Sequence, residues 1–255
     1  MAKVAFIGDS FSAYNQDGQF ENHWSWKLAQ KFPKHEYFNY AEGGRGNNFY
    51  QWCFLDAKLR EVDIVFVNRT YNHRVGLLIN DCDFAFKEKI VSDNYITLKL
   101  MNDRHIWYSP QFKPKLSEWA KERNLTFDQA KKIGNVLEDQ SVSMTSQLYN
   151  DKWFDNVSKL YNFKHIIPLE LMNIESKHVE KERVNSAIKK NAHQLLALAH
   201  DVNNCEHDIE MYKAGLIVSE EDSHWSPKAN DWVLENFILT QDTIDILINS
   251  SKENL

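Results

Sequence analysis

The chain has 255 residues, of which 43% are hydrophobic and 26% charged. That is enough for one large domain with its own core, and it excludes a disordered chain, a collagen and a coiled-coil rod. Lys and Arg number 30 against 36 Asp and Glu, and the resulting net charge of -6 argues against tight binding to a nucleic-acid backbone.

Lys3 to Ile7 is a β-rich run stopped by Gly8, and it predicts a first buried strand. Phe20, Trp24, Leu28 and Phe32 recur every fourth residue, which places them on one face of a helix that Pro33 ends. Glu36 to Tyr40 predicts a second short strand. The turn Glu42-Gly43-Gly44-Arg45-Gly46 comes next, with Asn47 or Asn48 as N-cap of a helix reaching about Arg60. Asp63 to Val67 predicts a third, nearly continuous apolar strand. Such runs suit parallel strands buried on both faces, and their alternation with helices predicts a three-layer α/β/α sandwich.

The segment from about 75 to 160 is polar and mostly helical in pattern, with a short strand near Arg104 to Tyr108. It reads as a helical insertion within a single domain spanning 1–255, because no composition break marks a second one. Lys164 to Leu169 predicts a fourth parallel strand, and 176–200 a charged amphipathic helix. Met211 to Ser219 is either a fifth strand or an irregular approach to the acidic loop at Glu220 to His224. Ser226-Pro227 is an N-cap and N1 pair for a last helix, with apolar positions from Trp232 to Ile248.

Cys53, Cys82 and Cys205 include no CxxC spacing, which disfavours a disulfide scaffold and fits reduced thiols in the cytoplasm. No stretch reaches the roughly 18 apolar residues of a spanning helix. The run Val4 to Ile7 is too short for a signal-peptide core. The expectation is cytoplasmic synthesis, with neither a membrane nor a nucleic acid as partner.

Four short segments carry polar chemistry. Gly8-Asp9-Ser10 directly follows the first strand, where open α/β folds place their sites. A serine there is exposed, and backbone N–H groups beside it can stabilise an oxyanion. Asn39-Tyr-Ala-Glu-Gly-Gly44 is the second segment. Its glycines let a backbone N–H approach an anion, but it is not a GxGxxG dinucleotide signature. Asn68-Arg-Thr-Tyr-Asn72-His-Arg74 is the third, with Asn72 as a side-chain donor. Glu220-Glu221-Asp222-Ser-His224 is the fourth, where a carboxylate beside a histidine suits general-base work. Each segment alone also reads as an ordinary turn or acidic loop. All four together fall on one edge of the expected sheet.

In these residues the sequence resembles the SGNH, or GDSL-type, hydrolases. Gly8-Asp9-Ser10 matches the first block of that family, Asn39 with Gly44 the second, Asn72 the third, and Asp222 or Glu221 with His224 the last. The blocks cover 1–75 and about 215–245. The third block lacks the usual Gly-x-Asn-Asp, since Thr70-Tyr71-Asn72-His73 stands there. The last block offers Asp222 two residues before His224 rather than an aspartate three before, where Glu221 stands. The resemblance implies a flavodoxin-like fold and serine esterase chemistry on a small acyl ester; the polar, aromatic middle, without the apolar lid expected of a lipase, points to an O-acetyl group on a carbohydrate. Ser10 would be the nucleophile, His224 the base and Asp222 its orienting acid, with Glu221 as the alternative. The Ser10 and Gly44 N–H groups and the Asn72 side chain would hold the oxyanion. Arg45 and Arg74 flank two blocks and would bind an anionic substrate group or pair with local acids.

No metal and no organic cofactor is expected, since His200, Cys205 and His207 fit no standard zinc spacing. Two other classes stay open. One is an O-acyltransferase using the same acyl-enzyme. The other is a catalytically silent module of a larger assembly such as a virion, as in phage-encoded GDSL-like proteins. The oligomeric state is not legible.

Overall fold

A computed structural model of the chain describes residues 1–13, 20–43, 49–69, 75–78, 86–92, 94–100, 105–108, 120–121, 124–133, 151–172, 191–202, 208–220 and 222–250. Its strands are β1 (Lys3–Ile7), β2 (Glu36–Asn39), β3 (Ile64–Asn68), β4 (Val75–Leu78), β5 (Phe86–Ser92), β6 (Tyr95–Leu100), β7 (His105–Tyr108) and β8 (His165–Leu169). Six of them form one sheet in the order β5-β6-β2-β1-β3-β8. The run from β6 to β8 is parallel throughout, and β5 adds an antiparallel edge.

β1 from Val4 to Ile7 and β3 from Ile64 to Val67 are apolar because both faces of the sheet are covered. Successive side chains point to opposite faces. Val4 and Phe6 join one core with Ile64 and Phe66, while Ala5 and Ile7 join the other with Val65 and Val67. The first core is closed by helix α2 (Trp24–Lys31) through Trp24 and Leu28. The second is closed by α3 (Tyr50–Leu59) through Tyr50, Cys53, Phe54 and Ala57, and by Val157 of α4 (Asp151–Tyr161). Phe6 is fully buried and meets the Trp24 ring edge-on at 5.3 Å. Burying a side chain of that kind contributes roughly 1.5–3 kcal/mol. The result is the expected three-layer α/β/α sandwich on a parallel sheet, with the flavodoxin-like order β2-β1-β3-β8 at its centre.

The expected helical insertion over 75–160 is corrected in its first half. β4, β5, β6 and β7 all lie within 75–108. β5 and β6 form a hairpin that extends the main sheet beyond β2, and β4 pairs with β7 in a separate antiparallel ribbon. The physical reason is a period-two pattern: Ile96, Leu98 and Leu100 alternate with polar residues, and β-branched residues favour a strand. Helix does occur later in the segment, in α4 and at 127–133. The latter is started by a reciprocal cap in which Gln129 N–H donates to Thr126 Oγ1 and Thr126 N–H to Gln129 Oε1.

Other boundaries shift for local reasons. α2 begins at Trp24, because the His23 ring accepts from Ser25 N–H as its N-cap. α3 begins at Tyr50, and Asn47 and Asn48 lie outside the described residues. The helix expected over 176–200 does not run through Asn191. That residue is extended and caps α5 (Ala192–Ala199) by accepting from Gln194 N–H at 2.8 Å. Met211 belongs to α6 (Asp208–Lys213), and only Ile217 makes a β-bridge, to Trp225. Ser226 does cap α7 (Pro227–Val233), accepting from Ala229 N–H. A π-helical turn Leu234–Ile238 and helix α8 (Gln241–Ser250) then replace the single last helix. Among the described residues no helix is long and apolar enough to cross a membrane.

Candidate active site

Ser10 opens α1 (Ser10–Ala13) at the C-terminal end of β1. The connections from β1 and β3 leave to opposite sides of the sheet here, and open α/β sheets bind ligands at such a point. The turn is built by close approach. A Cβ on Gly8 would sit 2.7 Å from Ser12 Oγ and 2.9 Å from the Asn68 Cβ, so only glycine fits. Asp9 is buried and accepts from Phe11 N–H at 3.1 Å and from Asn68 Nδ2 at 2.9 Å. It thereby ties the serine turn to the end of β3. Its carboxylate is used in folding the turn, not aimed at Ser10.

The same turn leaves one backbone donor over. Phe11 N–H is used by the Asp9 side chain and Ser12 N–H by the Asp9 carbonyl at 2.9 Å. Ser10 N–H meets no acceptor among the described residues. The loop after β2 closes against this point. Glu42 N–H donates to the Gly8 carbonyl at 3.2 Å, and a Cβ on Gly43 would lie 3.6 Å from the Ser10 Cβ. Asn39 anchors that loop from below. Its Nδ2 donates to the Ser12 carbonyl at 3.0 Å and to Tyr95 Oη at 2.6 Å, and its Oδ1 accepts from Ala41 N–H at 2.9 Å.

His224 arrives from the other end of the chain on a tight turn. Val218 N–H donates to the His224 carbonyl at 2.9 Å, and Asp222 N–H to Ser219 Oγ at 3.1 Å. Asp222 Oδ1 accepts from His224 N–H at 3.0 Å and also engages its Nδ1 in a short hydrogen bond. A carboxylate on Nδ1 places the proton there and leaves the Nε2 lone pair for another partner. Nε2 is buried and has no partner among the described residues. Asn230 at the start of α7 locks the turn in place. Its Nδ2 donates to the Trp225 carbonyl at 3.0 Å, and its Oδ1 accepts from Trp24 N–H at 3.1 Å.

Ser10, Phe11, His23, His224, Trp225 and Asn230 line one small cleft. The structure thus brings Ser10 and the Asp222–His224 pair together from opposite ends of the chain. Ser10 Oγ and His224 Nε2 are not hydrogen-bonded in this resting arrangement. Such bonds often tighten only when substrate is bound. Gly44, Arg45, Asn72, Arg74 and Glu221 lie outside the described residues. Asn68 and Arg69 precede Asn72 in the sequence; Asn68 is committed to Asp9, and Arg69 pairs with Glu170 at 2.8 Å.

Sequence reasoning missed the cleft walls. Phe11 stacks on the His224 ring at 5.1 Å and meets Trp225 edge-on at 5.2 Å. His23 is buried, and desolvation pushes its pKa down to about 3, with repulsion from His224 and Lys27 acting the same way. It is therefore a neutral wall of the cleft. Phe11 adjoins the serine, so its place was inferable. Nothing in the spacing of His23 or Asn230 marked them, because their partners are supplied by packing of distant elements. Among the described residues no group of His, Cys, Asp and Glu is arranged to hold a metal ion.

A half-buried, carboxylate-oriented imidazole beside a serine at a strand end can accept a proton from that serine. No protein-family model and no curated protein matches this chain. Among solved structures it is similar to a provisionally named lipolytic protein of the G-D-S-L family from Desulfitobacterium hafniense. That likeness covers 92% of this chain and 97% of the other, at 14% identity and a TM-score of 0.34.

Proposed function

We propose that the chain is a serine ester hydrolase of the SGNH type. The observation that carries this reading is the Asp222–His224 pair, with Nε2 left unpartnered in the cleft that Ser10 lines. In the proposed reaction Ser10 Oγ attacks the acyl carbon while its proton passes to His224 Nε2. Asp222 stabilises the imidazolium that forms. The carbonyl oxygen becomes an oxyanion facing the uncommitted Ser10 N–H, with Gly44 N–H and the Asn72 side chain as the further donors that the family resemblance assigns. Each such donor typically supplies about 2.7–4 kcal/mol of barrier lowering. Collapse of the tetrahedral intermediate breaks the ester C–O bond. The departing alkoxide takes the proton from His224. Water, deprotonated by the same imidazole, then attacks the acyl-enzyme, releases the acid and returns the proton to Ser10.

A short acyl group is the acid part in this reading, because the space beside Ser10 is walled by the rings of Phe11, His23 and Trp225. A carbohydrate hydroxyl is the proposed alcohol part.

The test is hydrolysis of p-nitrophenyl acetate, butyrate and octanoate and of acetylated sugars, with fluorophosphonate labelling, by wild type and Ser10→Ala. Turnover and labelling that both vanish in Ser10→Ala, with acetate preferred over octanoate, are expected. A folded wild type that neither turns over nor labels would overturn the reading.

A further inference from the structure

Phe11 is tied to the base by a chain of contacts that the triad itself does not require. Its ring is buried and lies over the His224 imidazole, with centroids 5.1 Å apart and planes 24° from parallel. Its backbone is pinned on both sides. Phe11 N–H donates to Asp9 Oδ1 at 3.1 Å, and the Phe11 carbonyl accepts from the Trp24 indole N–H at 2.7 Å. The ring is held in turn edge-on by Trp225, whose own indole N–H donates to His193 Nδ1 at 3.1 Å. Asp222 holds the imidazole at Nδ1 alone, and the torsion about Cβ–Cγ that sets the ring plane is intrinsically broad. The stacked face narrows that torsion.

We infer that Phe11 is a positioning residue for His224, a flat aromatic stop that sets the plane of the imidazole and so aims Nε2 toward Ser10. This rests on the serine-hydrolase reading of the cleft. The residue after the nucleophile thereby acts twice. Its N–H shapes the turn that presents Ser10, and its ring orients the base that Ser10 needs. Asp222 bonds the imidazole at Nδ1 from its own turn, and His23 lines the same cleft.

The experiment compares wild type, Phe11→Leu and Phe11→Tyr. Leucine keeps apolar volume without a ring face, and tyrosine keeps the face. The ring-proton NMR resonances of His224, assigned by loss in His224→Gln, are expected to be displaced upfield by the Phe11 ring current in wild type and Phe11→Tyr. They should relax toward ordinary histidine values in Phe11→Leu. On p-nitrophenyl acetate, Phe11→Leu is expected to lower kcat roughly two- to tenfold, with KM little changed, as the loss of an aromatic pair implies. Phe11→Tyr should restore it. Resonances of His224 that are the same in wild type and Phe11→Leu would overturn the inference. So would a fall in kcat that Phe11→Tyr shares, or a change confined to KM. If wild type shows the displaced resonances but no turnover, the hydrolase reading fails while the stacking contact stands, so the two failures are told apart.

Discussion

Replacing His23 by Gln removes a titrating group from the cleft wall and should flatten the acid side of the stability curve. His23 is 5% exposed, and desolvation takes its pKa from 6.5 to about 3, opposed in part by a hydrogen bond to the Phe11 carbonyl. In the unfolded chain it titrates near the ordinary value, so below that pH the unfolded state binds a proton that the folded state refuses. The stability carried by neutral His23 is whole above about pH 6.5 and drains away as pH falls toward 3. Between about pH 7.5 and about pH 5 only the unfolded chain titrates, and the linkage integral comes to about 2 kcal/mol. His35 is also depressed by burial, but it is the same in both proteins and cancels in the comparison. Urea unfolding followed by tryptophan fluorescence at the two pH values measures the difference. Wild type should lose about 2 kcal/mol more than His23→Gln over this interval. Losses that run parallel to within about 0.5 kcal/mol would show that His23 protonates in the folded state near its ordinary value, and the buried neutral wall would be wrong.

Asp222→Asn should leave the melting temperature nearly unchanged but lower kcat on p-nitrophenyl acetate by roughly 10⁴-fold, because an amide beside Nδ1 favours the wrong tautomer; a loss under about tenfold would remove Asp222 from the orienting role. Gly8→Ala should cost about 1–3 kcal/mol in urea unfolding, since the new Cβ would overlap Ser12 and Asn68, and a neutral result would mean that the turn can shift. Asn39→Leu should cost more than about 2 kcal/mol, because it strands the Ser12 carbonyl and the Ala41 N–H in the interior, and the same denaturation series reads it. Ser226→Ala should cost about 1 kcal/mol through the lost cap of α7, read by the same unfolding assay.

The parallel core of the fold was legible because β1 and β3 are apolar on both faces, and a strand buried on both sides leaves that mark in one dimension. The edge was not. β5 carries Lys87, Glu88 and Lys89, as an unpaired edge requires, and that polarity resembles the exposed face of a helix. Ser10, Asp222 and His224 were marked by their setting at element boundaries, where polar residues have no packing duty. The choice of acid was open in sequence, since Glu221 and Asp222 both precede His224, and in the fold the Asp222 carboxylate lies on Nδ1. Asp9 looks equally chemical in sequence, yet it is consumed by Phe11 N–H and Asn68.

Local sequence by itself determined where strands are buried and where helices are capped, because an apolar run and a capping residue are both legible within a few positions. Ser226 and the apolar runs of β1 and β3 are of this kind, whereas Gly8 is required by the approach of Asn68 on β3 as well as by Ser12. Only the tertiary structure decided which polar side chains are spent on the scaffold and which remain for chemistry. Hydrogen-bond partners such as Asn68 for Asp9 and Trp24 for Asn230 are 59 and 206 residues away. Such pairings are fixed by the packing of β1 against β3 and of α2 against α7, and the same packing sets Phe11 over His224.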